Sequence, residues 1–162
     1  MEQPDKIKLW YSFDMPVEYE QPTHAVMPLQ PEDYEEVGRT FLDAYRGTID
    51  YEGEELTDAI QEVHRVCTGA YGALIHPASG VIMVEHRIAA AVFVTEQPDG
   101  TAFIPYLVTA KEWKGQGFAS ELLRHALFHL ANAGYKRVEL YVTRGNLIAE
   151  HLYAKLGFLS AE

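Results

Sequence analysis

Cysteine is nearly missing. Cys67 is the single thiol in 162 residues, which excludes an internal disulfide and a cysteine-rich metal site. Positive charge is scarce too: 13 Lys plus Arg stand against 24 Asp plus Glu, a formal net charge of −11. That balance argues against nucleic acid and against an anionic membrane as partners, and it leans toward a cationic substrate. No apolar run approaches the roughly 18 residues of a membrane span. The N-terminus is charged and has no apolar signal core, so a cytoplasmic protein is expected. Internal repeats and low-complexity segments are absent. So are the Gly-Lys-Ser/Thr of a P-loop and the third glycine of a dinucleotide fingerprint, where Ser120 stands instead.

What is present reads as an ordinary globular domain: 48% of residues are hydrophobic and 23% charged. The chain length suits one domain with a core of useful size. The most informative stretch is Leu107 to Ser120, LVTAKEWKGQGFAS. It joins an apolar strand to an apolar-periodic helix, with Gly115 and Gly117 at the join. Backbone N–H groups at a helix N-terminus lack intrahelical partners and carry partial positive charge, so the join is a candidate phosphate cradle. Glycine lets the backbone approach a ligand closely there. Lys114 is placed to add a full charge. The other reading of the same stretch is a glycine-capped turn that holds nothing.

Taken in order, residues 1–24 form an N-terminal arm in which Lys6 to Phe13 roughly alternates and suits an added strand. Residues 25–162 read as a single domain. Ala25 to Leu29 suits a short strand, and Pro31, Glu32 and Asp33 open a helix that buries Val37, Phe41, Leu42 and Tyr45. An acidic loop, Thr48 to Glu55, leads to a second helix over Leu56 to Thr68. Val81–Val84, Ile88–Thr95 and Thr101–Thr109 suit three antiparallel strands, the last two joined by a Pro-Asp-Gly turn. The helix from Gly117 places Phe118, Leu122, Leu123, Ala126, Leu127 and Leu130 on one face. Arg137–Thr143 alternates as a strand, and Leu147–Leu156 is the last helix. The expected fold class is therefore α/β with a mixed sheet: antiparallel strands, then a right-handed β-α-β unit and a C-terminal helix. His125 and His129 lie four apart on one helix, a spacing that suits a metal pair. No third ligand accompanies them, so they read as surface histidines and no metal is expected. Cys67 sits among apolar positions and reads as core.

Three features line up: the KGQG join after a strand, the strand running into Asn146, and the ending from Ala149 to Phe158. Together they resemble the GNAT superfamily of acyl-CoA-dependent N-acetyltransferases, over roughly residues 25 to 158. The family's cofactor motif is Arg/Gln-x-x-Gly-x-Gly/Ala, and its later motif reads Asn-x-x-Ala-x-x-Leu-Tyr-x-Lys-Leu-Gly-Phe. The second is matched nearly letter for letter from Asn146 to Phe158. Glu112 departs from the first position of the cofactor motif. The family usually continues past Gly-Phe with further strands, so this C-terminus reads as shortened. The arm, or a second copy of the chain in a homodimer, is expected to cover the sheet edge left open.

The resemblance implies acetyl-CoA as cosubstrate. It assigns the pyrophosphate to the backbone of Lys114, Gly115, Gln116, Gly117, Phe118, Ala119 and Ser120, with Asn146 bonding the cofactor arm or capping the last helix. Pantetheine amides would pair with Leu107, Val108 and Thr109 as an added strand does. Tyr153 is the family's usual proton donor to the departing thiolate. Its phenol ordinarily titrates near 10, against about 8.5 for a thiol. The base is open. Tyr106 is the titratable side chain on the central strand, and Glu52, Glu54 and Glu55 are the alternatives, as base or as substrate-binding groups. The implied activity is N-acetylation of a small-molecule or peptide amine by direct attack. The alternative is a non-catalytic domain that binds or senses acyl-CoA.

Overall fold

A computed structural model describes residues 5–161. Among these residues the chain forms eight strands and four α-helices. In chain order the strands are β1 (Lys6–Ser12), β2 (Val26–Met27), β3 (Ala73–Leu74), β4 (Gly80–Val84), β5 (Arg87–Glu96), β6 (Ala102–Thr109), β7 (Arg137–Thr143) and β8 (Leu159–Ser160). The helices are α1 (Tyr34–Tyr45), α2 (Leu56–Cys67), α3 (Phe118–Asn132) and α4 (Leu147–Lys155). All strands lie in one mixed sheet of order β2-β4-β5-β6-β7-β1-β8, with β3 added beside β5.

The sheet is covered on both faces, and β5 shows why its sequence is an unbroken apolar run. Every residue from Ile88 to Thr95 is buried. Val92 and Val94 turn to the core that holds Leu122, Leu130 and Leu140, whereas Ala91 and Phe93 turn to the core that holds Val37 and Val63. Successive side chains of a strand point to opposite faces, so a central strand needs apolar residues at every position. The helices α1 and α2 cover the second face. They approach closely at Gly38, where a Cβ would lie 2.7 Å from Ile60 Cγ1.

Strands β6 and β7 are joined through α3 and run parallel, but they pair only at Ala102↔Val138 and Phe103↔Glu139. Beyond those pairs they part. On its other side β6 carries one extra residue against β5, between the pairs Thr95↔Phe103 and Phe93↔Tyr106. Pro105 lies in that bulge and has no N–H to give a neighbour. The result is a wedge between the second half of β6 and the end of β7.

The outer edge of β7 is paired along its whole length by β1, from Lys6↔Thr143 to Ser12↔Arg137. Ile7 and Leu9 turn into the core, and Tyr11 packs on Phe13 and Phe158 with ring centroids 5.2 and 5.6 Å apart. No element is legible in the sequence after Phe158. In the structure β8 follows, two residues long, and pairs with β1 at Leu9↔Ser160 and Trp10↔Leu159. Strands of two residues, β3 and β8 alike, are too short to show a period. The first expected strand is likewise reduced to Val26–Met27. No helix of the described residues is long and apolar enough to cross a membrane.

Candidate active site

The wedge and the start of α3 open on the same side of the sheet. A cleft of about 740 Å³ lies between the end of β6, the turn into α3 and the first turns of α4. Its third wall is the loop between α1 and α2. Gly117 is the N-cap of α3 and takes a left-handed conformation, φ 89°. The first N–H of the helix to find an intrahelical acceptor is that of Glu121, 3.0 Å from Gly117 O. The N–H groups of Phe118, Ala119 and Ser120 precede it and point the positive end of the helix into the cleft. A Cβ built on Gly115 or Gly117 meets nothing within 4 Å. The cradle is thus open space that a side chain would begin to fill.

Most of the expected cofactor residues line this cleft: Leu107, Val108, Thr109, Lys114, Gly115, Gly117, Phe118, Ala119, Ser120 and Asn146. Two of the side chains behave differently from the expectation. The Lys114 ammonium donates to the Ala44 carbonyl at 2.8 Å, so its charge sits at the C-terminal end of α1. Burial, and then the nearby Lys111, draw its pKa down. Gln116 lies outside the cleft lining, and its amide donates to Glu112 O at 3.3 Å. Asn146 caps α4 by accepting from Ala149 N–H at 3.3 Å, and its amide nitrogen donates to Asp50 at 3.4 Å.

A second cavity, about 280 Å³, fills the wedge between β6 and β7. Tyr106, Glu52 and Glu54 line it, together with Asp50, Lys6 and Tyr141. Glu55 does not. It precedes α2, and its N–H is held by Asp58 Oδ2 at 2.8 Å. Tyr106 is committed to an aromatic cluster, edge-on to Phe41 at 4.5 Å and to Tyr71 at 6.1 Å. Burial, the Tyr71 hydrogen bond and the Glu62 charge push its pKa far up, so it is no base near neutral pH.

The two cavities meet at Tyr45, Asp50, Leu107, Asn146, Ala149 and Tyr153, which line both. Tyr153 is 9% exposed and packs edge-on against Phe158 at 5.5 Å. Its hydroxyl has no hydrogen-bond partner among the described residues. Burial first, and then the Asp50 charge, hold its proton well above the ordinary phenol range. Tyr45 is raised in the same way, by burial and then by Tyr153, Asp50 and Glu54. Asp50 is the residue the sequence concealed. It is one acid in a loop that also carries Glu52, Glu54 and Glu55, and no spacing singles it out. Its carboxylate accepts from Thr143 Oγ1 at 2.5 Å.

The rings of His125 and His129 lie 4.3 Å apart between centroids, tilted by 51° to each other. Among the described residues no group of three His, Cys, Asp or Glu side chains is placed to hold a metal. His125 is half-buried with Nε2 3.0 Å from Pro77 O. Cys67 is half-buried, and burial raises its thiol pKa.

Comparison with known proteins agrees with this fold. A mycothiol acetyltransferase of Corynebacterium efficiens is 43% identical over 53 residues, which are 33% of this chain and 18% of that protein. A GCN5-related N-acetyltransferase from Sphaerobacter thermophilus superposes with a TM-score of 0.74 at 16% identity, over 97% of this chain and 48% of the other. This chain thus spans about half the length of that protein. The PaiA N-acetyltransferase from Thermoplasma acidophilum, solved in complex with coenzyme A, superposes with a TM-score of 0.67 at 17% identity, over 83% and 89% of the two chains. The family profile reaches from Trp10 in β1 to Phe158 after α4, and so spans both walls of the wedge. With that span matched, the chain belongs to the GNAT family of acetyltransferases.

Proposed function

We propose that the protein transfers the acetyl group of acetyl-CoA to a primary amine. The observation that carries this reading is the meeting of the two cavities at Tyr153. The larger one fits a pyrophosphate at the open α3 N-terminus, and it continues along Leu107–Thr109, where an extended amide chain would lie as an added strand. The PaiA relative was crystallised with coenzyme A, which supports the same ligand here. The smaller cavity suits the acceptor.

When bound, acetyl-CoA supplies an acyl group activated as a thioester. The residues of this chain do the rest. The α3 backbone holds the phosphates, and the β6 backbone near Val108 orients the acyl carbonyl and polarises its oxygen. Burial and then the Asp50 charge keep Tyr153 protonated; they also make the phenol a weaker acid, so its proton passes to the sulfur only as the C–S bond breaks and the thiolate develops. Asn146 fixes the start of α4, which carries Tyr153. The test is release of free thiol from acetyl-CoA against a panel of primary amines, with the acetylated product identified by mass. Amine-dependent thiol release is expected. Tight cofactor binding with no release on any amine would favour an acyl-CoA sensor.

A further inference from the structure

We infer that Asp50 is the carboxylate that receives the acceptor's ammonium group and takes its proton. This rests on the acetyl-transfer reading above. Asp50 is the one carboxylate that, among the described residues, lines both cavities. Glu52 and Glu54 line only the wedge, and Glu54 Oε2 is already bonded to the Glu52 N–H at 3.0 Å.

The position of Asp50 is built rather than incidental. Thr143 from the end of β7 donates to Oδ1 at 2.5 Å, and Asn146 from the α4 cap donates to Oδ2 at 3.4 Å. An ionised carboxylate offers about four lone-pair sites, so about two remain for a ligand. Ile49, the preceding residue, lies over Gly145, with Cδ1 3.6 Å from where a Cβ on that glycine would be. A second, independent group lines this junction: Tyr153, a side chain 9% exposed whose hydroxyl has no protein partner among the described residues. The surroundings favour a cation. Tyr45 faces Asp50 from α1, Tyr153 from α4, and Glu52 and Glu54 from its own loop. The wedge also holds Tyr106 from β6 and Tyr141 from β7, and Lys6 of β1 is the single Lys or Arg of its lining.

The proton balance closes. An ammonium N–H bond breaks, and the proton passes to the Asp50 carboxylate and then to solvent. The freed nitrogen lone pair forms the new C–N bond as the C–S bond breaks. The second proton lost by nitrogen balances the one Tyr153 gives to sulfur. An ammonium and a thioester thus become an amide, a thiol and one released proton.

The experiment is titration of the whole protein with n-propylammonium chloride, with propan-1-ol as its uncharged isostere. It is run with and without coenzyme A, on the wild type, Asp50→Asn and Glu85→Gln. Glu85 is an exposed acid of the β4–β5 turn, outside both cavities, and controls for net charge. The wild type and Glu85→Gln are expected to bind the amine and not the alcohol. Asp50→Asn is expected to bind the amine at least tenfold more weakly, with coenzyme A affinity within about twofold of wild type. Equal amine binding by Asp50→Asn, or no amine binding by the wild type in either condition, would overturn the inference. Failure of coenzyme A to bind the wild type would instead overturn the proposed function. Should Asp50→Asn not fold, wild-type resonances of Asp50 and Tyr153 decide: shifts with propylammonium and not propanol uphold the inference, and no shift overturns it.

Discussion

Thr143, the last residue of β7, donates its hydroxyl to Asp50 across 2.5 Å, and so ties the loop after α1 to the far wall of the wedge. The two residues are 93 positions apart. Thr143 is buried, and its partner is an acid within the site. Thr143→Val keeps the shape and removes the donor, leaving one carboxylate oxygen short of a bond. The loss is expected to cost roughly 1–3 kcal/mol of stability. Coenzyme A affinity should stay within a few-fold of wild type, because the phosphate cradle lies elsewhere. Denaturant unfolding and calorimetric titration read the two effects separately.

Tyr153→Phe should lower turnover by about a hundredfold or more, the range of a lost proton donor, while cofactor affinity stays nearly intact. The phenol is held protonated by burial and by Asp50. It should therefore not limit the alkaline side of the pH–rate profile below about pH 10, its ordinary value. An unchanged turnover per bound enzyme in the variant would refute the role.

Gly117→Ala tests the cradle. At φ 89° an alanine is strained by about 1–2 kcal/mol, and its methyl would stand in the open space before the α3 N–H groups. Affinity for coenzyme A should drop about tenfold because the methyl occupies the space before those N–H groups, while the strain itself should appear as a fall of roughly 2–8 °C in melting temperature. An unaffected affinity would place the phosphates away from this turn.

His125 carries a pH effect on stability. Burial, then the charge of His129, lower its pKa to about 4 from an ordinary value of 6.5. The unfolded chain therefore binds the proton more readily between those values. The contribution of the neutral ring is complete above about pH 6.5 and is lost as pH falls toward 4. His125→Gln retains a donor for the Pro77 carbonyl. Its unfolding free energy should vary less over this window than that of the wild type, measured by denaturant titration at several pH values.

Leu9→Ala tests whether β1 belongs to the core. Leu9 is 7% exposed between β7 and β8, and truncating a buried leucine costs about 2–5 kcal/mol. A loss below 0.5 kcal/mol would mean that the strand is only loosely docked.

The parts of the fold that announced themselves were those with local repetition. The α3 face from Phe118 to Leu130 and the alternation of Val138, Leu140 and Val142 are periodic, and the glycines at 115 and 117 mark their own turn. Two kinds of feature stayed hidden. The first is pairing across distance. Nothing local to Leu159–Ser160 says that it will join β1, and nothing in the acidic loop says that Asp50, rather than Glu52 or Glu55, will meet Thr143. The second is local competition for a side chain. Lys114 and Gln116 sit in the cofactor motif, yet Lys114 reaches back to the end of α1 and Gln116 folds onto Glu112 O. A motif fixes the backbone path more firmly than the partners its side chains choose.

The claim on which the rest depends is that the cleft at the α3 N-terminus holds coenzyme A. Calorimetric titration of the purified protein with acetyl-CoA, free coenzyme A and ADP tests it directly. Saturable binding of the first two at one site per chain is predicted, with ADP clearly weaker because it lacks the arm that would lie along β6. Absence of binding by acetyl-CoA and coenzyme A would contradict the account, leaving the glycine join as a turn and nothing more.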